Sequence, residues 1–179
     1  MLKYAVFVAA TLATGPVSAQ IEPGGTLNPE EMTVNRVMEN IRMGKTDMAT
    51  CAAGYFITKA GRHKLARELF EVCARAGYTG SMTWMSQMEN NGLGASENPD
   101  AAADWDKRAA EAGDPIGKFN HGINLMRGHG TARNEALGRR MIDEAAREGL
   151  APAQVFRDSG YDFDVVTPDA DNWKYAPLF

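Results

Sequence analysis

The side chains best suited to chemistry are few here, and their spacing argues against a catalytic centre. His63, His121 and His129 stand far apart, with no His-Glu-x-x-His run and no Cys/His cluster, so the ligand spacing of a zinc site is missing. Ser81, Ser86, Ser96 and Ser159 lie in neither Gly-x-Ser-x-Gly nor Ser-x-x-Lys, the settings that expose and activate a hydroxyl. Asp162, Asp164, Asp169 and Asp171 gather oxygen ligands near the C-terminus. They lack the loop glycine and closing glutamate of an EF-hand and read as a solvated acidic tail. Gly92-x-Gly94 and Gly128-x-Gly130 follow no strand and do not continue into a phosphate-binding fingerprint, so they read as turns. The expectation is a protein without catalytic residues, metal or cofactor.

Cys51 and Cys73 are the only cysteines, too few for a disulfide-dense miniprotein or a four-cysteine zinc site. They flank Gly61 by ten residues on one side and twelve on the other. With Gly61 as the turn of an antiparallel helical pair, both sulfurs stand at similar heights on facing helices. The start of the chain supplies the redox setting. Met1–Ala19 carries Lys3, an apolar run from Tyr4 to Leu12, the breakers Gly15 and Pro16, and the small-residue end Val17-Ser18-Ala19. That is the layout of a secretory signal peptide cleaved between Ala19 and Gln20. Its apolar run is well short of the roughly 20 residues of a membrane anchor. In an oxidising compartment an intrachain disulfide is the expected state; two buried thiols or a redox pair are the alternatives, although redox pairs more often take the form Cys-x-x-Cys. Asn-x-Ser/Thr acceptors are absent, which favours a bacterial periplasm or secreted fraction over a eukaryotic secretory route.

The 179 residues suffice for one ordinary domain, and 44% hydrophobic with 23% charged residues is the composition of a globular chain. Lys+Arg 19 against Asp+Glu 23 gives a net charge of −4. Loss of the leader removes Lys3 and leaves 18 basic residues against 23 acidic, a net of −5. Nucleic acid is therefore not the expected partner, and stable membrane insertion after cleavage is not expected either.

The elements that must position these side chains announce themselves by repetition. Ser81–Gly113 slides onto Gly117–Gly149 without a gap: Gly92 falls on Gly128, Gly94 on Gly130, Asn98 on Asn134, and Ala109-Ala110 on Ala145-Ala146. Ser86 falls on Gly122 and Trp105 on Met141. Each feature has a mechanical role in a helical hairpin. A first helix running through Trp84–Asn90, or Asn120–Met126 in the next copy, ends at the Gly-x-Gly pair, where glycine accepts the left-handed conformation. Asn98 and Asn134 cap the second helix, with Pro99 at its first position. Ala102, Trp105, Ala109 and Ala110 form its contact face, and Gly113 or Gly149 stops it.

The pattern Gly92-x-Gly94…Asn98…Ala102…Trp105…Ala109-Ala110…Gly113 resembles the Sel1-like repeat, a helical hairpin related to the tetratricopeptide repeat. The copy Gly122…Gly128-x-Gly130…Asn134…Ala145-Ala146…Gly149 resembles it too, departing at Gly138, where the family usually has alanine, and at Met141, where it usually has an aromatic. Upstream, Gly54…Ala66…Phe70…Cys73 has the shorter tetratricopeptide spacing, with Gly61 alone as the turn. The resemblance spans Asp47 to Gln154 and implies an all-α fold, a short α-solenoid of about three hairpins. It agrees with a Cys51–Cys73 bridge, since secreted cysteine-rich Sel1-like proteins tie paired helices together. It also places His121 where the family is usually apolar, a helix-interface position.

The expected organisation is a leader (1–19), a lead-in and capping helix (20–46), the repeats (47–154) and a C-terminal capping tail (155–179). Pro29–Met43 spaces Met32, Val37, Met38 and Ile41 for an amphipathic cap. Gln20–Asn28 is a Gly/Pro-rich lead-in. Pro152–Arg157 begins a further helix that Gly160 ends, and Phe163, Trp173, Tyr175 and Phe179 are available to cover the last hairpin. By analogy with the tetratricopeptide pattern, the inner face comprises Tyr55, Thr83, Gln87, Asn90, Asn91, Phe119, Ile123 and Arg127. Their amides, aromatics and single cation suit an extended peptide. The expected function is a monomeric, non-enzymatic module that binds protein or peptide, an adaptor or envelope regulator. The resemblance leaves a β-lactam or cell-wall-peptide hydrolase as the enzyme alternative, and a host-directed secreted effector as another.

Overall fold

The computed structural model describes residues 33–166. The expected leader, the lead-in Gln20–Asn28, Pro29–Met32, and Asp169, Asp171, Trp173, Tyr175 and Phe179 lie outside these residues. The described chain is all-α: α1 (Val34–Arg42), α2 (Met48–Lys59), α3 (His63–Arg75), α4 (Thr79–Asn90), α5 (Pro99–Glu111), α6 (Pro115–Arg127), α7 (Glu135–Arg147) and α8 (Ala151–Asp158), then a 3-10 turn at Phe163–Val165. Consecutive helices pair as hairpins α2–α3, α4–α5 and α6–α7, and α8 packs on α7. Among the described residues no helix is long and apolar enough to cross a membrane.

Short polar side chains begin most of these helices. Asn98 Oδ1 accepts from the Ala101 amide at 3.1 Å, and Asn134 Oδ1 from the Leu137 amide at 3.1 Å, as the sequence predicts. Asp47 caps α2 through the Thr50 amide at 2.8 Å, and that bond, with a second from the Thr50 hydroxyl, holds its carboxyl below the ordinary value. Asp114 accepts from the Ile116 and Gly117 amides. Such caps contribute about 1 kcal/mol each. In the described part of the expected N-terminal cap helix, the Thr33 hydroxyl accepts from the Arg36 amide at the first turn of α1. Its apolar stripe is as expected: Val37, Met38 and Ile41 are buried against the first hairpin.

The repeat in sequence is a repeat in contacts. The Asn98 amide donates to Glu89 O at 2.8 Å, and 36 residues on the Asn134 amide donates to Leu125 O at 2.8 Å. Leu93 N to Met88 O recurs as His129 N to Asn124 O. The second glycine of each turn lies on the start of the previous unit's second helix: Gly94 on the His63 backbone and Gly130 on Pro99. The departure at Gly138 also has a reason. A Cβ on Gly138 would stand 2.5 Å from Gly122 O, and one on Gly122 would stand 2.9 Å from Gly138 O, so paired glycines let α6 and α7 cross backbone to backbone. The α5–α6 seam is built similarly, where a Cβ on Gly117 would lie 2.5 Å from Ala109 Cβ.

Apolar side chains collect in two clusters. One joins α1 to α5 around Ile57, Leu69, Phe70 and Met85, and the other joins α6 to α8 around Phe119, Ile142 and Phe156. The C-terminal segment closes the second. Phe156 meets Phe119, Tyr161 and Phe163 at ring-centroid distances of 6.2, 5.7 and 5.1 Å, and the Tyr161 hydroxyl donates to Asp143 at 2.6 Å.

Candidate functional site

Cys51 on α2 and Cys73 on α3 are buried and joined as a disulfide, with Cα atoms 5.9 Å apart. The bond closes the first hairpin across its open end, opposite the Gly61 turn. It is structural; the open surface lies elsewhere.

The first helices of successive units lie side by side, and what fills each gap between them depends on four positions. Between α2 and α4, Tyr55 meets Trp84 edge-on at 5.7 Å and bridges the two helices. Between α6 and α8, Phe119 and Ile123 meet Phe156 and do the same. Between α4 and α6 the corresponding residues are Thr83 and Gln87 with Ile116 and Asn120, and no aromatic ring bridges them. A cavity of about 600 Å³ remains there, lined by these four and by Trp84, Asn91 and Leu93, with Thr58, Lys59 and His63 at the end of the first hairpin. Trp84 is held flat on Phe70 at 5.5 Å, so its indole forms a fixed wall.

The eight residues expected on the inner face divide accordingly. Thr83, Gln87 and Asn91 line the groove. Tyr55 is exposed beside it, with the Lys59 ammonium 5.5 Å above its ring. Asn90 faces the next turn, where its Oδ1 accepts from His129 Nε2 at 2.8 Å. Phe119 and Ile123 are in the core instead, 8% and 9% exposed, because α8 covers them. Arg127 is not in the groove either; its guanidinium stacks 4.4 Å from the Phe163 ring. Trp84 and Asn120 are groove residues that the inner-face pattern omits, although 84, 120 and 156 form one column of the 36-residue register.

Beneath the groove is a buried polar contact. Asp106, 2% exposed, accepts from Asn120 Nδ2 at 3.2 Å and from Asn124 Nδ2 at 2.9 Å. The bond holds the Asn120 amide with its nitrogen inward, leaving its oxygen as an acceptor for the groove. Asp106 occupies the column of Phe70 and Ile142, so a charge among apolar equivalents is the sequence signal that marks it.

His121 sits on the other side of α6, 7% exposed, with Nδ1 buried and without a hydrogen-bond partner. Burial first, and then the Lys107 charge, push its pKa below the ordinary 6.5, against a smaller upward pull from Glu111. Between the lowered value and 6.5 the unfolded chain binds more protons than the folded one, so stability falls as pH falls through that window and is retained above it. The expected result is a urea midpoint that drops between pH 7.5 and pH 5 more in the wild type than in His121→Leu. An equal drop in both proteins assigns the acid sensitivity to other groups.

Among the described residues no group of three or more His, Cys, Asp or Glu side chains could hold a metal ion. Ser81 and Ser86 are buried in α4, and the Ser159 hydroxyl donates to Phe156 O. The groove lining contains one histidine and no serine, cysteine or carboxylate.

Among the described residues these features define a helical-hairpin repeat protein with an open groove beside α4 and α6. No family model and no curated protein matches the sequence. Solved structures do resemble it. The Sel1 repeat protein from Oxalobacter formigenes has 19% identity and a TM-score of 0.60 over 70% of this chain and 97% of that one. Helicobacter pylori cysteine rich protein B has 17% identity and a TM-score of 0.57 over 74% and 98%. A protective antigen present in uropathogenic Escherichia coli strains, displaying an SLR fold, has 19% identity and a TM-score of 0.50 over 74% of this chain and 35% of that one. At these identities the likeness is one of fold, and the fold is the Sel1-like repeat solenoid expected from the sequence.

Proposed function

We propose that this protein is a peptide- or protein-binding repeat module acting outside the cytoplasm, as an adaptor or regulator of the cell envelope, with the α4–α6 groove as its binding surface. The observation that carries the reading is the open gap: the equivalent pairs on either side are bridged by aromatic contacts, and this one presents amides, hydroxyls and fixed apolar walls. Repeat solenoids bind extended partners along such continuous surfaces, which is an argument from architecture. The buried Cys51–Cys73 bridge supports an oxidising compartment, since structural disulfides are rare in the cytosol. The lining offers hydrogen bonds and apolar contact without a nucleophile–base pair, and so favours holding over turnover.

The test places a photoreactive benzoylphenylalanine at Gln87 in the groove, and separately at the exposed Arg140 on α7, in the producing cell. A discrete crosslinked polypeptide from position 87 and none from position 140 is the expected result. Adducts equal at both positions, or none at 87, would remove the groove as the binding surface. Turnover of a chromogenic β-lactam by the purified protein would replace the binding reading with the hydrolase one.

A further inference from the structure

The groove also has a sign. The chain as a whole carries more acid than base, yet the groove is lined by Lys59 and His63 and by no carboxylate. Many basic groups of the described chain are already engaged: Arg36, Arg42, Arg67, Arg75, Lys107, Lys118, Arg133, Arg139 and Arg157 form ion pairs. Lys59 has no such partner among the described residues, and its ammonium rests over the Tyr55 ring at the mouth of the groove. Two further nitrogens at the same end, His63 Nδ1 and Asn91 Nδ2, are buried without hydrogen-bond partners. Leu93, two residues beyond Asn91, and Trp84 offer apolar walls, and Ile116, about half exposed, adds another from the start of α6.

Resting on the peptide-binding reading, we infer that the occupant is an acidic peptide: one that sets an Asp, Glu or terminal carboxylate against Lys59 and His63 and lays an apolar side chain along Trp84, Leu93 and Ile116. Gln87, Asn91 and Asn120 then bond its backbone, with Asn120 acting as the acceptor because Asp106 holds its nitrogen. Complementary charge of this kind selects among partners and fixes the direction of the bound chain.

The test is a selection of phage-displayed random dodecapeptides on the purified protein, followed by fluorescence anisotropy with the enriched peptides made synthetically. Groove binders are identified by their loss of binding to Gln87→Trp, whose folding is checked by circular dichroism. The expected groove binders are enriched in Asp or Glu next to an aliphatic or aromatic residue. Lys59→Glu weakens them by about tenfold, as expected when attraction at an interface becomes repulsion, while Lys59→Arg preserves binding. Groove binders without acidic enrichment, or indifferent to Lys59→Glu, would overturn the acidic preference and leave the groove reading intact. If no selected peptide is sensitive to Gln87→Trp, the groove reading itself fails, and the acidic preference with it.

Discussion

Gly130→Ala is expected to lower the stability of the protein by about 3 kcal/mol or more, the sum of left-handed strain and a backbone collision. Gly130 has φ +62°, and a Cβ there would fall on the carbonyl oxygen of Pro99, at the first turn of α5. Neither group can rotate away, since one is main chain and the other belongs to a helix. Relief requires the second and third hairpins to move apart along the seam where Gly117 rests on Ala109. Two other glycines separate the contributions. Gly149 has φ +96° with nothing within 4 Å of its would-be Cβ, so Gly149→Ala carries the conformational strain alone, about 1 kcal/mol. Gly94, whose Cβ would meet the His63 carbonyl carbon at 2.9 Å, falls between. Urea midpoints at constant slope should therefore rank G149A above G94A above G130A. Equal midpoints for the first and last would show that the contact with Pro99 does not constrain the fold.

The second large effect is loss of the disulfide. Cys51 and Cys73 are 22 residues apart, and closing a loop of that size in the unfolded chain is worth roughly 3 kcal/mol. The C51A/C73A double variant should lose that stability, and the loss should be local. In a solenoid each unit touches only its neighbours. Amides of α2 and α3 should then lose protection from hydrogen exchange in the variant, while those of α7 and α8 change little. A uniform loss of protection along the chain would show that the hairpins unfold as one body, and an unchanged midpoint would show that packing of Ile57, Phe70 and Met85 already holds the first hairpin.

Much of the architecture was legible because the same contact recurs whenever the same residue pair recurs. The pairs Gly94 with His63 and Gly130 with Pro99 are 36 residues apart in both members, so an ungapped self-alignment captures a three-dimensional rule. Caps and turns were legible for the same reason, each being settled within four residues of chain. The inner face was legible only in part. Thr83 and Phe119 share one column, as do Gln87 and Ile123, yet one pair lines a groove and the other is core. What separates them is the partner across the gap: Ile116 and Asn120 in one case, Phe156 in the other. A face is a property of two helices, and transferring one column without its opposing column misplaces residues.

The constancy of the 36-residue offset bears on how such a chain can grow. Each junction repeats one backbone bond, Tyr78 N to Cys73 O, Asp114 N to Ala109 O and Leu150 N to Ala145 O, beside a left-handed glycine, so a cassette spliced in at the Asp114 boundary would meet a familiar backbone joint at both ends. Length could thus change by duplication without inventing a new joint, and the four side chains facing one another across each new gap would decide whether it became filler or a second binding slot.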